Sequence, residues 1–343
     1  MSARARAARA SPAWAQLDDA ALLRLRFRDL GLKIPASPVQ ADLVRLGEQL
    51  ERRGLRFKPH AWFSTEWFSP DGVPGIAVPF FLGHPRLLRL ERRMSGEAEG
   101  GNPRWRRRIL RHEVGHAVDT AFGLRRRRDW QEVFGPAAAH YSGDYTAQPR
   151  SKDFVLNLEH WYAQSHPTED FAETFAVWLQ PKARWRADYA GWPALDKLEF
   201  VDGLMSELAG HPPPKRDRSF IAPLTDNHRT LGEHYRRRAA FSGSEERYDL
   251  RLLRIFARRK TPADRAAERF LAEIKPRLTR TLLKRAHAHP YLVFQVLLAV
   301  RRRARSLDLV VRGSKRDTER QIVRLHERAI ADLVRRNEES YFL

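Results

Sequence analysis

The string His112-Glu113-Val114-Gly115-His116 constrains this chain more than any other, because the chemistry it carries requires a helix. Its flanks supply one. Asn102 can cap the start, Pro103 suits the first helical position and Gly123 can end the helix, while Ile109, Leu110, Val114, Ala117, Val118 and Phe122 form a buried stripe. Two histidines four residues apart then share one face, so both imidazoles can reach a single zinc ion at about 2.0 to 2.1 Å. Glu113 stands beside them, placed to take a proton from a metal-activated water as a general base. Residue frequencies give roughly 0.03 accidental matches to such a pattern in a chain of this length, which disfavours coincidence.

A hydrolytic zinc needs a third protein donor and an open position. The chain after His116 reads AVDTAFG, so the glycine and histidine of the metzincin pattern are absent. A second helix is expected from Pro167 to Leu179, with Pro167 at its first position and Phe171, Ala172, Phe175 and Leu179 facing a core. Glu169 and Glu173 lie one turn apart on one face of that helix. A carboxylate there can complete a His, His, Glu site, and its neighbour can accept a hydrogen bond from a liganding imidazole.

HEVGHAVD at 112–119 followed by EDFAETFA at 169–176 resembles the gluzincin metallopeptidases of the anthrax lethal factor type. It is still more similar to a bacterial family of zinc-binding metallopeptidases that share HPxEDFAETFAVWL, a string spanning His166 to Leu179 here. The resemblance covers about Gly75 to Met205. It implies that His112, His116 and Glu169 bind zinc, that Glu113 is the base, and that Glu173 supports the ligands from behind. It also implies a tyrosine about two turns before the glutamate ligand that stabilises the oxyanion, and Tyr162 holds that place.

Other residues are open to two readings. Tyr162 can donate to a developing oxyanion or join Trp161 in an aromatic cluster. Tyr141 and Tyr145 stand in a loop with Gly143 from which a side chain could approach the cleft. Asp119 can bond a neighbouring backbone or ligand, and His166, at a helix start, suits a capping or structural role more than that of an extra metal ligand. Gly75 to Leu82 (GIAVPFFL) reads as a strand, and Pro79 within it favours a sheet edge over the centre, so it is either an edge with which an extended peptide could pair or an ordinary core strand.

The expected organisation is a loose basic tail at 1–17, an α+β zincin-like domain at 18–210 with a small sheet, a Pro-rich linker at 211–223, and a basic, mostly α-helical domain at 224–343. Helices are expected at Asp18 to Leu30, Val39 to Arg53, Pro103 to Phe122, Pro167 to Leu179 and Pro193 to Leu208. In the second half they are expected at Ala263 to Ile274, Arg277 to Ala288, Tyr291 to Arg305 and Asp317 to Arg336. Net charge is +21 overall. It divides as +5 for residues 1–210 and +16 for 211–343.

Arginine clusters at 236–238, 258–259 and 301–303 could contact phosphates or an acidic protein, or form a merely solvated surface. The runs Arg104 to Arg108 and Arg125 to Arg128 flank the HExxH helix and would suit an acidic substrate. The absence of cysteine excludes a disulfide scaffold, a Cys-type zinc finger and a thiol nucleophile. The start of the chain lacks the apolar stretch of a secretory signal, and the longest apolar run, Tyr291 to Val300, is about half a membrane span. A cytoplasmic zinc peptidase acting on a protein or peptide is therefore expected. The alternative is a nucleic-acid-associated or protein-interaction module on a zincin fold with restricted or no peptidase activity.

Overall fold

The computed structural model describes residues 12–95, 98–139, 148, 151–241, 248–259, 261, 263–285 and 290–340. In chain order the elements begin with α1 (Asp19–Arg24), α2 (Gln40–Arg52), β1 (His60–Ser64), β2 (Gly75–Pro79), α3 (Pro85–Ser95) and α4 (Pro103–Phe122). There follow α5 (Arg128–Phe134), α6 (Pro167–Leu179), α7 (Trp185–Asp188), α8 (Ala194–Leu208) and α9 (Leu231–Phe241). The last are α10 (Asp249–Ile255), β3 (Phe256–Arg258), α11 (Ala267–Arg285), α12 (Pro290–Ser306), β4 (Leu309–Val311) and α13 (Lys315–Ser340). The fold is rich in helix with little sheet, compatible with an α+β class. No helix among the described residues is long and apolar enough to cross a membrane.

Two compact units emerge, one of Met1–Val133, Phe175–Asp188 and Lys197–Tyr235, the other of Phe134–Thr174, Tyr189–Asp196 and Arg236–Leu343. The linker expected at 211–223 lies inside the first unit rather than between the two. Its carbonyls are held by β1: His60 Nε2 is 2.9 Å from the Ser219 oxygen, Trp62 Nε1 donates to Ile221 at 2.9 Å, and Ser64 Oγ donates to Ala222 at 2.8 Å. Phe220 stacks on Trp62, with ring centroids 5.6 Å apart.

In the first unit β1 and β2 pair in parallel, His60 opposite Gly75 through Ser64 opposite Pro79. The strand ends at Pro79 and continues as a 3-10 turn over Phe80–Gly83, so the expected strand to Leu82 is three residues too long. Pro79 sits at the last position, where a missing N–H removes little of the ladder. β2 lies at the edge of this two-stranded sheet, as Pro79 implies, but its outer flank is partly covered. All five of its residues are buried, and the Phe68 backbone bonds Ala77 on the flank away from β1, accepting at 2.8 Å and donating at 3.5 Å.

Local pattern is overruled near the start as well. The helix expected from Asp18 to Leu30 stops at Arg24, because Leu25 is extended, its carbonyl accepts from Leu231, and the Phe27 N–H donates to Arg229. A bond made across the unit there outweighs helical periodicity.

α4 follows its caps. Asn102 accepts from the Arg104 N–H at 2.8 Å, Pro103 is the first helical residue, and Gly123 closes the helix at φ 68° with its N–H on the Asp119 carbonyl. A buried ion pair fastens α4 to α2: Arg106 Nε donates to Asp42 Oδ2 at 2.7 Å, and Asp42 is 3% exposed.

The second unit centres on α10 to α13, whose core includes Tyr248, Phe256, Phe270, Leu282, Val296 and Ile322. Two expected helices are one: α11 runs through Pro276, because its buried face of Phe270, Ile274, Leu278 and Leu282 is continuous across that residue. β3 and β4 form a short antiparallel pair, Phe256 opposite Val311, where only helix was expected. Several arginines singled out for phosphates are bound internally, Arg301 to Glu268, Arg303 to Asp249 and Arg259 to Asp308.

Candidate metal centre

His112 and His116 lie one turn apart on α4 with their rings edge to face, centroids 4.8 Å apart. Their Nε2 atoms are 3.2 Å apart. Two neutral imidazoles cannot face lone pair to lone pair at that distance without a shared proton or cation. A tetrahedral ion bonded at 2.0 to 2.1 Å holds its nitrogen ligands about 3.3 Å apart, so the spacing suits zinc.

Glu169, from the first turn of α6, brings a carboxylate oxygen to the pair, and the donor atoms of all three residues lie within 4.8 Å of one another. His112 and Glu169 are buried, and His116 is half-buried, so the cluster meets solvent at His116. Glu113 follows His112, is 6% exposed, and sits about 60° round the helix from His116.

The rest of α6 explains why Glu169 can be held there. Phe171, Ala172, Phe175, Ala176, Trp178 and Leu179 are all buried, and Phe171 packs edge to face on Phe134 at 5.4 Å. His166 caps the helix: its Nδ1 accepts from the Thr168 N–H at 3.2 Å, and the opposite nitrogen, which then carries the proton, donates to the Ala139 carbonyl at 2.9 Å. Acidic Glu169 and Asp170 in the first turn face the positive end of the helix dipole.

Glu173 has partners the sequence did not reveal. Asn157 Nδ2 donates to one of its oxygens at 2.8 Å and the Leu158 N–H to the other at 2.7 Å. Those two residues lead directly into the 3-10 turn Glu159–Gln164, which carries Tyr162. Tyr162 is half-buried, and its carbonyl accepts from Ser165 N–H and Oγ. Trp161 takes φ 55° and packs on the core of the second unit. Tyr141 and Tyr145 lie outside the described residues.

Asp119 is wholly buried and accepts from the Arg125 backbone at 2.8 Å and Arg125 Nε at 2.6 Å. Burial raises its pKa, opposed by Arg125. Arg125 also reaches Asp71, Arg127 reaches Asp129 and Glu207, and Arg128 reaches Glu132, so three of the four arginines of this second run are paired internally. On α4, Arg106 and Arg107 turn to Asp42. Arg111, next to His112, is different. It is 7% exposed, its Nε has no hydrogen-bond partner among the described residues, and burial with Arg108 and Arg107 nearby pulls its pKa down to about 10.

Two imidazoles from one helix and a carboxylate from another make the donor set of a single-ion zinc site. Residues 108–187 match the model of a family described as "putative zinc-binding metallo-peptidase", a stretch that contains all three donors. No curated protein and no solved structure matches the chain. The likeness to lethal factor has no counterpart in these comparisons.

Proposed function

We propose that this chain is a zinc-dependent peptidase whose ion is held by His112, His116 and Glu169. The observation that carries the reading is the convergence of those three donors within a segment that matches a zinc-binding metallopeptidase family. A zinc ion held there would supply Lewis acidity toward a carbonyl and a water of lowered pKa.

The chain's own groups do the rest. Glu113 takes the proton of the attacking water at its carboxylate and returns it to the leaving amine. Its burial keeps the transfer out of competing solvent. Tyr162 offers a phenol to the oxygen on which charge develops. Glu173 positions the turn bearing Tyr162 through Asn157 and Leu158.

The test is metal analysis beside turnover of an unstructured protein substrate. The parent should carry one zinc per chain, and His112→Ala and Glu169→Ala should carry little. Glu113→Gln should keep its zinc while turnover falls by about 100-fold or more. Full zinc in Glu169→Ala, or undiminished cleavage by Glu113→Gln, would overturn the assignment.

A further inference from the structure

Of the arginines flanking the metal helix, most have an acidic partner within their own unit, as described above. Arg104, Arg108, Arg111 and Arg126 do not. Three of these lie on α4, Arg104, Arg108 and Arg111, and among the described residues none of their guanidinium groups has a hydrogen bond or ion pair. Their spacing of four and three residues puts them on one face of α4. Arg108 lies one turn before His112 and only about 40° round the helix from it, so the row runs up to the metal ligands.

Such a row is costly. Like charges at these spacings repel, and cations in the first turns oppose the helix dipole. A guanidinium almost out of water without a counter-ion is worse still. A chain that merely required solubility would leave these positions neutral or exposed, whereas Arg111 is nearly buried. Three forked cations in a line need carboxylates from elsewhere, and arginine accepts them in bidentate fashion.

The length of the row says which carboxylates. Seven residues of helix span about 10 Å, and an extended peptide advances about 3.3 Å per residue. The row therefore matches a run of about three residues, whose first and third side chains face it, two carboxylates against the single one of a chain end. We infer that Arg104, Arg108 and Arg111 form a substrate-binding surface for a short run of Asp or Glu side chains next to the scissile bond. This deepens the peptidase reading and rests on it for the position of that bond, but the surface itself is read by binding.

The experiment uses the full chain, zinc-loaded and in the Glu113→Gln background so that no probe is cut. Three fluorescein-labelled decapeptides are compared by polarisation. One has three central glutamates and an amidated end, one has three glutamines and an amidated end, and one has three glutamines and a free carboxylate. The glutamate peptide should bind about tenfold or more tightly than the amidated glutamine peptide. Arg108→Gln and Arg111→Gln should each remove most of that preference, while Arg128→Gln, at a 94% exposed site, should leave it intact.

Thermal unfolding separates recognition from architecture. Arg111→Gln removes an uncompensated charge, so its Tm should hold or rise. Equal binding of the glutamate and amidated glutamine peptides would overturn the inference. So would a free carboxylate that matches three glutamates, an equal loss in Arg128→Gln, or a lowered Tm in Arg111→Gln with the preference retained. If the preference appears as expected but the parent cuts no peptide, the peptidase reading fails and the surface stands. If the parent cuts both amidated peptides alike and binds them alike, the surface fails and the peptidase reading stands.

Discussion

His326 offers a quantitative test of the packing of the second unit. It lies on α13, is 1% exposed, and its Nδ1 donates to the Ile322 carbonyl one turn back at 2.7 Å. That bond makes the neutral ring the Nδ1–H tautomer and slightly favours the charged form, against the larger effect of burial, and a small cavity at this point is lined by Leu271, Leu278, Leu297 and Leu298 with Lys275 and Arg301. A second proton would place a cation at a site walled largely by leucines. Burial pulls the pKa down to about 4, from 6.5 in an unfolded chain.

The sign follows from linkage. Between pH 6.5 and 4 the unfolded chain binds a proton that the folded one refuses, so stability falls as the pH drops and levels off below the folded value. The shift of about 2.5 units, at 1.36 kcal/mol per unit, corresponds to roughly 3 kcal/mol lost by pH 4. Urea denaturation of parent and His326→Leu at pH 7.0, 5.5 and 4.5 isolates it. The leucine variant should match the parent at pH 7 to within about 1 kcal/mol, since its volume is similar and the Ile322 carbonyl keeps its helical bond. At pH 4.5 it should be the more stable by about 2 kcal/mol or more. Parallel pH profiles for the two proteins would refute the argument that His326 is buried neutral.

Two further outcomes test the scaffold of the first unit. Asp42→Ala leaves Arg106 buried without its counter-ion and should cost about 3 to 5 kcal/mol in urea denaturation. A loss below 1 kcal/mol would mean that the pair does not anchor α4. Gly75→Ala would put a Cβ 2.6 Å from both the His60 and Trp62 rings, so that stack must move. With it go the side-chain bonds to Ser219 and Ile221, and limited proteolysis should then cut near Phe220 faster than in the parent.

How much of this was legible in the sequence depends on where each element draws its stability. α4 and α6 run over the residues that Asn102, Pro103, Gly123 and Pro167 mark, because capping is local chemistry and a buried stripe leaves no ambiguity of face. The two histidines and the two glutamates could be placed on helix faces for the same reason. The broken helix at Leu25 could not, since the bonds that break it come from Arg229 and Leu231, some two hundred residues away. Nor could the unbroken α11, where continuous burial tolerates Pro276. The bonds of Glu173 to Asn157 and Leu158 could not be foreseen either, since no local signal marks those partners.

Sequence alone determined the helical frame of the metal centre and the identity of its candidate donors, because residue spacing fixes angles on a helix and donor chemistry belongs to the side chain. Only the tertiary structure decided that Glu169 reaches the pair at 112 and 116, and which arginines keep an unmatched charge. Both depend on distances between segments far apart in the chain, and electrostatic pairing falls off over a few ångströms that no local pattern encodes.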